Sequence, residues 1–139
     1  MPEPSDATRI VSEPDPHDAV NVAQGYRIDN RLYLSGQTAV DSTGSIVGHD
    51  DFLKQAQQVF TNLKRALAKG GSSLDQVFKV TIYVTDMDYF GHVIKARETY
   101  FSKPYPADTI VEVNSLAIDG AMLEVEAVAL VGGEVKNPD

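Results

Sequence analysis

The sequence predicts an α+β fold, a sandwich in which two helices lie on one face of a mixed sheet. Three observations predict it. The stretch from Phe52 to Lys69 repeats apolar residues at helical spacing, and a shorter one from Asp88 to Phe101 does the same. Between them, Val77 to Thr85 is rich in β-branched and aromatic residues. After them, Tyr105 to Val131 reads as two more strands. The order hairpin, helix, strand, helix, strand, strand sets both helices against the same sheet face.

Each element has its own warrant. Residues 1–18 are polar and acidic and hold Pro2, Pro4, Pro14 and Pro16, so a flexible arm is expected there, followed by one domain over 19–133 and a tail over 134–139. Asn21 to Ile28 reads as a strand, Asp29-Asn30 as a turn, and Arg31 to Ser35 as the returning strand. Ser35-Gly36 ends the hairpin, where a glycine marks a bulge or a close backbone approach. Asp41 to Gly44 is a turn. Asp50 or Asp51 caps the first helix, whose stripe is Phe52, Ala56, Val59, Phe60, Leu63 and Leu67. Lys54, Gln55, Gln57 and Gln58 are expected on its solvated side, and Gly70-Gly71 stops it. Asp88 is expected to cap the second helix, with Phe90, Val93, Ile94 and Tyr100 inward, and Pro104 and Pro106 end it.

The last strand carries the question of function. Met122 to Val131 is dominated by Val, Leu and Ala, yet Glu124 and Glu126 share one pleat face. Either that face meets solvent on a half-covered sheet, or a carboxylate sits in a cleft. Tyr83, Val125 and Ala127 are expected on the sheet face away from the helices. That is more apolar surface than a monomer leaves bare, so self-association is the simple cover.

Composition excludes several classes. A chain of 139 residues, 42% hydrophobic and 23% charged, is one ordinary globular domain. It has no cysteine, hence no disulfide scaffold, thiol nucleophile or thiolate metal site. His17, His49 and His92 show no metal-ligand spacing, and neither a metal nor another cofactor is expected. The net charge of −8 and the lack of any basic run beyond Lys64-Arg65 argue against an RNA or DNA partner. No apolar run reaches membrane-span length and no secretory leader is visible, so a cytoplasmic protein without membrane contact is expected.

Pro106-Ala107, Thr109 and Val111-Glu112-Val113, followed by Leu123-Glu124-Val125-Glu126-Ala127-Val128-Ala129, form a pattern, with Leu34-Ser35-Gly36-Gln37 and Val80 to Asp86 upstream. In this order it resembles the RidA superfamily (YjgF, also called L-PSP endoribonuclease) over Gly25 to Val131. The resemblance implies a RidA/chorismate-mutase-like homotrimer with clefts between subunits. It also implies hydrolysis of small enamines or imines to ammonia and a keto acid. Glu124 falls on the family's water-handling glutamate and Ser35 on its pocket serine, with Gly36 and Pro106 lining the cleft.

Other positions depart from the pattern. Asp108 stands where the family has the arginine that clamps a substrate carboxylate, Ile110 where it has a cysteine, and Ile94 where it has an asparagine. The pocket tyrosine falls near Val22, with Tyr26 close by. Arg97, three residues after Ile94, shares its helix face. It is expected to pair with Asp108, to replace the lost clamp, or to stand in solvent beside Glu98.

Three functions follow. One is a deaminase-like enzyme with altered substrate preference: Glu124 and Ser35 are catalytic, Gly36, Ile94, Arg97, Pro106, Asp108 and Ile110 bind substrate, and Asp108 favours an amine or cation. The second is a non-catalytic small-molecule-binding or regulatory trimer. The third is a ribonuclease, which the acidic charge opposes. The first leads because Ser35-Gly36 and Glu124 are all present.

Overall fold

Asp51 opens the first helix. Its carboxylate accepts the backbone N–H of Lys54 at 3.1 Å, satisfying one of the amides that no helical carbonyl reaches. From that cap helix α1 runs Phe52–Lys69. At its far end Gly71 takes a positive φ of 82°, a conformation that costs glycine nothing. The computed structural model describes residues 3–13 and 15–139.

Six strands make one sheet: β1 Ala7–Arg9, β2 Gly25–Ile28, β3 Arg31–Leu34, β4 Val77–Val84, β5 Ala107–Glu112 and β6 Leu123–Leu130. Their order is β1-β2-β3-β6-β4-β5. Every neighbouring pair is antiparallel except β4 and β5. That parallel pair is joined through helix α2, Phe90–Tyr100, the crossover a parallel connection requires. The expected α+β arrangement with a mixed sheet is therefore present.

The arm is not wholly without structure. Ala7–Arg9 pairs with Tyr26 to Ile28 as an edge strand that the proline-rich composition did not announce. Met1, Pro2 and Pro14 of the arm lie outside the described residues. The expected strand from Asn21 begins only at Gly25; a short 3-10 turn, Asp18–Val20, precedes it.

The core lies between the sheet and α1. The stripe residues Phe52, Ala56, Val59, Phe60, Leu63 and Leu67 are all buried, and α1 packs on β6. Val125 and Ala127 are buried beneath the helices together with Leu123 and Ala129. Their expected place on the opposite face is thus corrected: in a period of two they oppose Glu124 and Glu126, and the carboxylates take the open side. Tyr83 does lie on the open side, paired across the sheet with Glu124.

The second helix also differs from expectation. Asp88 does not cap it: Asp86 caps a 3-10 turn over Met87–Tyr89, accepting the Asp88 N–H at 2.9 Å, and that turn leads into α2, which has no side-chain cap of its own. On α2 the buried residues are Val93 and Ala96, while Phe90 and Ile94 face outward. Stacked rings join the helical layer: Phe52 on Tyr89 at 4.6 Å and Phe60 on Tyr100 at 4.4 Å between centroids. No helix among the described residues is long and apolar enough to cross a membrane.

Gln55, expected in solvent, is fully buried. Its Nε2 donates to Gly120 O at 2.9 Å and Gly48 O at 3.2 Å, and its Oε1 accepts from Met122 N at 2.8 Å. One amide thus ties the loop before α1 to the entry of β6. Gln55→Ala strands these backbone groups away from water, and a loss of about 2–4 kcal/mol in urea unfolding is expected. A variant as stable as wild type would show the amide to be dispensable.

Candidate functional site

Two clusters of chemistry-bearing side chains emerge, on different surfaces of the chain. The first is built on β6 and the end of β3. Alternation along β6 lifts Glu124 to the open side of the sheet, where it is half-buried. There it lies against Gly36. A Cβ added at Gly36 would stand 2.5 Å from Glu124 Oε1 and 2.8 Å from Cδ, so the carboxylate holds this position over a bare α-carbon and would have to shift for a side chain there. The backbone of Gln37, bridged to Val125 in both directions at 2.8 and 3.0 Å, holds the two segments together.

Charge around Glu124 is uneven. Burial pushes its carboxyl above the ordinary carboxylate value, the neighbouring charge of Glu126 adds to that, and His17 offsets part of it. Glu126 has its own partner: the Tyr83 hydroxyl donates to it at 2.8 Å. That hydrogen bond, followed by burial, raises the Tyr83 pKa above its usual value. Of the two carboxylates, Glu126 is engaged by Tyr83 and Glu124 lies half-buried against Gly36.

Asp15 and His17 complete this cluster, and the sequence reading did not pick them out. The His17 ring places Nε2 3.4 Å from Gly36 O and Nδ1 3.9 Å from Asp15 Oδ1. Asp15 Oδ1 accepts the His17 backbone N–H at 3.0 Å. No periodic pattern marks these residues. The only local signal is an aspartate two positions before the histidine, which specifies a turn and nothing about Glu124. Ser35 lies next to Gly36, but its hydroxyl donates to Ala23 O at 2.6 Å, so toward a ligand it has only acceptor capacity. Val22 and Tyr26 are both solvent-exposed, and Tyr26 pairs with Tyr33 on the sheet's open side.

The second cluster is on the helix side. Parallel register sets Asp108 of β5 opposite Val80 and Ile110 opposite Ile82, so both point toward the helical layer. Arg97 reaches Asp108 from α2 with two parallel hydrogen bonds, Nε to Oδ2 at 2.8 Å and Nη2 to Oδ1 at 2.9 Å. Its guanidinium carbon also stands 5.7 Å from the Phe90 ring centroid. Of the three expected placements of Arg97, pairing with Asp108 is the one observed, and Glu98 takes no part. The pair forms one end of a cleft of about 400 Å³, walled by Ile94, Glu98, Phe101, Tyr105 and Pro106. Ile110 does not line it but packs against the core.

Glu124, Ser35, Gly36 and His17 are absent from the lining of that cleft. Within one chain, then, the expected site residues fall into two groups that do not meet. Among the described residues no group of three His, Asp or Glu is placed to hold a metal ion.

Comparison with known proteins gives this geometry a context. The family model for endoribonuclease L-PSP matches residues 13–131. A RutC family protein of Pyrococcus horikoshii is 36% identical over 121 residues, 86% of this chain and 94% of its own length. The 2-iminobutanoate/2-iminopropanoate deaminase of Mus musculus is 31% identical over 114 residues, 82% of this chain and 84% of its own. Among solved structures, RidA from an Antarctic Psychrobacter superposes with a TM-score of 0.80 at 30% identity, covering 88% of this chain and 98% of that one.

Two consequences can be measured. A double-mutant cycle on Arg97→Ala and Asp108→Ala should return a coupling of about 1.5–3 kcal/mol, as expected for partly buried charge-assisted bonds. A coupling near zero would mean that the pair does not persist in solution. For Glu124 the sign follows from its raised pKa. The native carboxyl keeps its proton to higher pH than the unfolded chain does, so its contribution is fully present below the unfolded value and lost as pH rises through the native one. Glu124→Gln should therefore gain stability over wild type as pH is raised from about 4 to about 8. An advantage independent of pH would contradict the burial argument.

Proposed function

The chain belongs to the endoribonuclease L-PSP family, the RidA/YjgF superfamily, and from that premise we propose that it is a deaminase-type hydrolase of small imines or enamines whose carboxylate clamp is supplied by helix α2. The observation that carries this reading is the bidentate pair of Arg97 with Asp108. Alone, Asp108 would repel a substrate carboxylate. Paired, it is neutralised and holds the guanidinium at the cleft end. Arg97 makes no other hydrogen bond among the described residues, so the N–H groups left over are available to an anionic ligand.

The water-handling half is Glu124 beside Gly36. A carboxyl raised by burial is nearer in proton affinity to a working general base than an ordinary one. The two halves lie apart in one chain, so the reading requires that the cleft of one copy close against Glu124 of another, in a homotrimer. Its support is the open sheet face, where Tyr26, Tyr33 and Val111 are exposed. The apolar walls Ile94, Phe101, Tyr105 and Pro106 favour an imine with an apolar side chain over the shortest ones.

The second reading, a ligand-binding trimer without turnover, is favoured by one observation: the Ser35 hydroxyl proton is committed to Ala23 O. The net charge of −8 speaks against a ribonuclease role.

Imino acids generated in place by an amino-acid oxidase provide the test. Wild type should release ammonia faster from leucine- or phenylalanine-derived imines than from the alanine-derived one. Glu124→Gln should lower kcat about a hundredfold or more, and Arg97→Ala should lower kcat/KM about tenfold or more. Refolding the two variants together should restore part of the activity, because a mixed oligomer rebuilds some clefts with both native halves. Ligand binding with no turnover on any imine would favour the second reading, and failure of complementation would remove the shared cleft.

A further inference from the structure

We propose that His17 is the proton donor that works with Glu124 across Gly36 and that Asp15 is its positioning residue, a role that rests on the imine-hydrolysis reading above. The imidazole and the Glu124 carboxylate converge on the same backbone residue. Nε2 of His17 stands 3.4 Å from Gly36 O, and the carboxylate lies over the Gly36 α-carbon, where a Cβ would displace it. Gly36 thus meets both groups, the imidazole at its carbonyl and the carboxylate at its α-carbon.

The loop that brings His17 there is pinned. The His17 carbonyl accepts the N–H of Val20 at 3.2 Å and of Val22 at 3.1 Å, and Ser12 is tied to Gln24 at 3.0 Å. The Asp15 side chain is only 5% exposed, and its Oδ2 is buried without a partner, as is Nδ1 of His17. A buried carboxylate with a free oxygen beside a buried ring nitrogen is costly to maintain for packing alone. Closing the 3.9 Å gap between Asp15 Oδ1 and Nδ1 would give the ring the carboxylate partner that orients an imidazole for proton transfer. The charged and titratable groups around Glu124 are His17 from this loop, Tyr83 from β4 and Glu126 from β6 itself, and Tyr83 and Glu126 are already bonded to each other. That leaves the His17 imidazole as the neighbour of Glu124 with a proton to give.

The protons balance. Water adds to the imine carbon as its proton passes to Glu124 and the imine nitrogen takes one from His17, giving a carbinolamine. In the collapse nitrogen takes the proton from Glu124, His17 takes the hydroxyl proton, the C–N bond breaks and ammonia leaves a ketone. Both side chains end as they began, and no oxidant or cofactor is consumed.

The test uses His17→Asn and His17→Gln, both small polar replacements without the charge, together with Asp15→Asn. Carboxyl-detected carbon NMR should show the Glu124 titration midpoint moving up when the imidazole is removed, since His17 lowers it in the native protein. The kcat for the imine should fall about a hundredfold with KM little changed, and Asp15→Asn should fall between wild type and His17→Asn. Turnover absent from wild type overturns the hydrolase reading. Normal turnover in both His17 variants overturns the proton-donor role alone, whether or not the Glu124 midpoint moves. An unmoved midpoint with reduced turnover overturns the coupling of the two groups.

Discussion

The two-residue period of β6 governs the rest of the molecule. The strand sits between β3 and β4, so both neighbours must match its alternation. Leu123, Val125, Ala127 and Ala129 lie under α1, and Glu124 and Glu126 rise on the other side. A slip of one residue would put both carboxylates beneath the helix and expose four apolar side chains. Burying an unpaired carboxylate costs far more than any local strand preference returns. Solvation of two glutamates therefore fixes the register as firmly as packing does, and Gln55 anchors the strand at its entry.

From that register the electrostatics of the first cluster follow. Neighbouring acids on one strand face cannot both be comfortable, and the sheet resolves the conflict by giving Glu126 the Tyr83 hydroxyl. Glu124 is left with burial on one side and the His17 ring on the other. Its distinctness from Glu126 is a matter of neighbours, since the two residues have the same chemistry and stand two positions apart.

The second cluster is an ion pair that only the parallel pairing brings together. An acid on β5 and a base on α2 meet because the parallel β4–β5 pairing turns Asp108 toward the helix that connects those strands. The base sits three residues beyond Ile94, on the helix face that borders the cleft. Position along the chain places Arg97 near Ile94, but only the packing of α2 on β5 shows that its partner is Asp108.

By itself the sequence determined the elements that depend on local pattern: the long helix with its stripe and a cap at Asp50 or Asp51, the hairpin turn at Asp29-Asn30, the strands β4 to β6, and the sharing of one face by Glu124 and Glu126. Periodicity says which residues lie together but not which side is covered, so Val125 and Ala127 were assignable to a face only once α1 was seen to pack on it. Gln55 looks like a solvated helix residue because its partners at Gly120 and Met122 are more than sixty positions away. His17 and Asp15 carry no pattern at all, and it is the folding of their loop onto Gly36 that brings them to Glu124. Tertiary structure alone decided these, because each rests on a contact with a distant part of the chain, and local sequence carries no record of such partners.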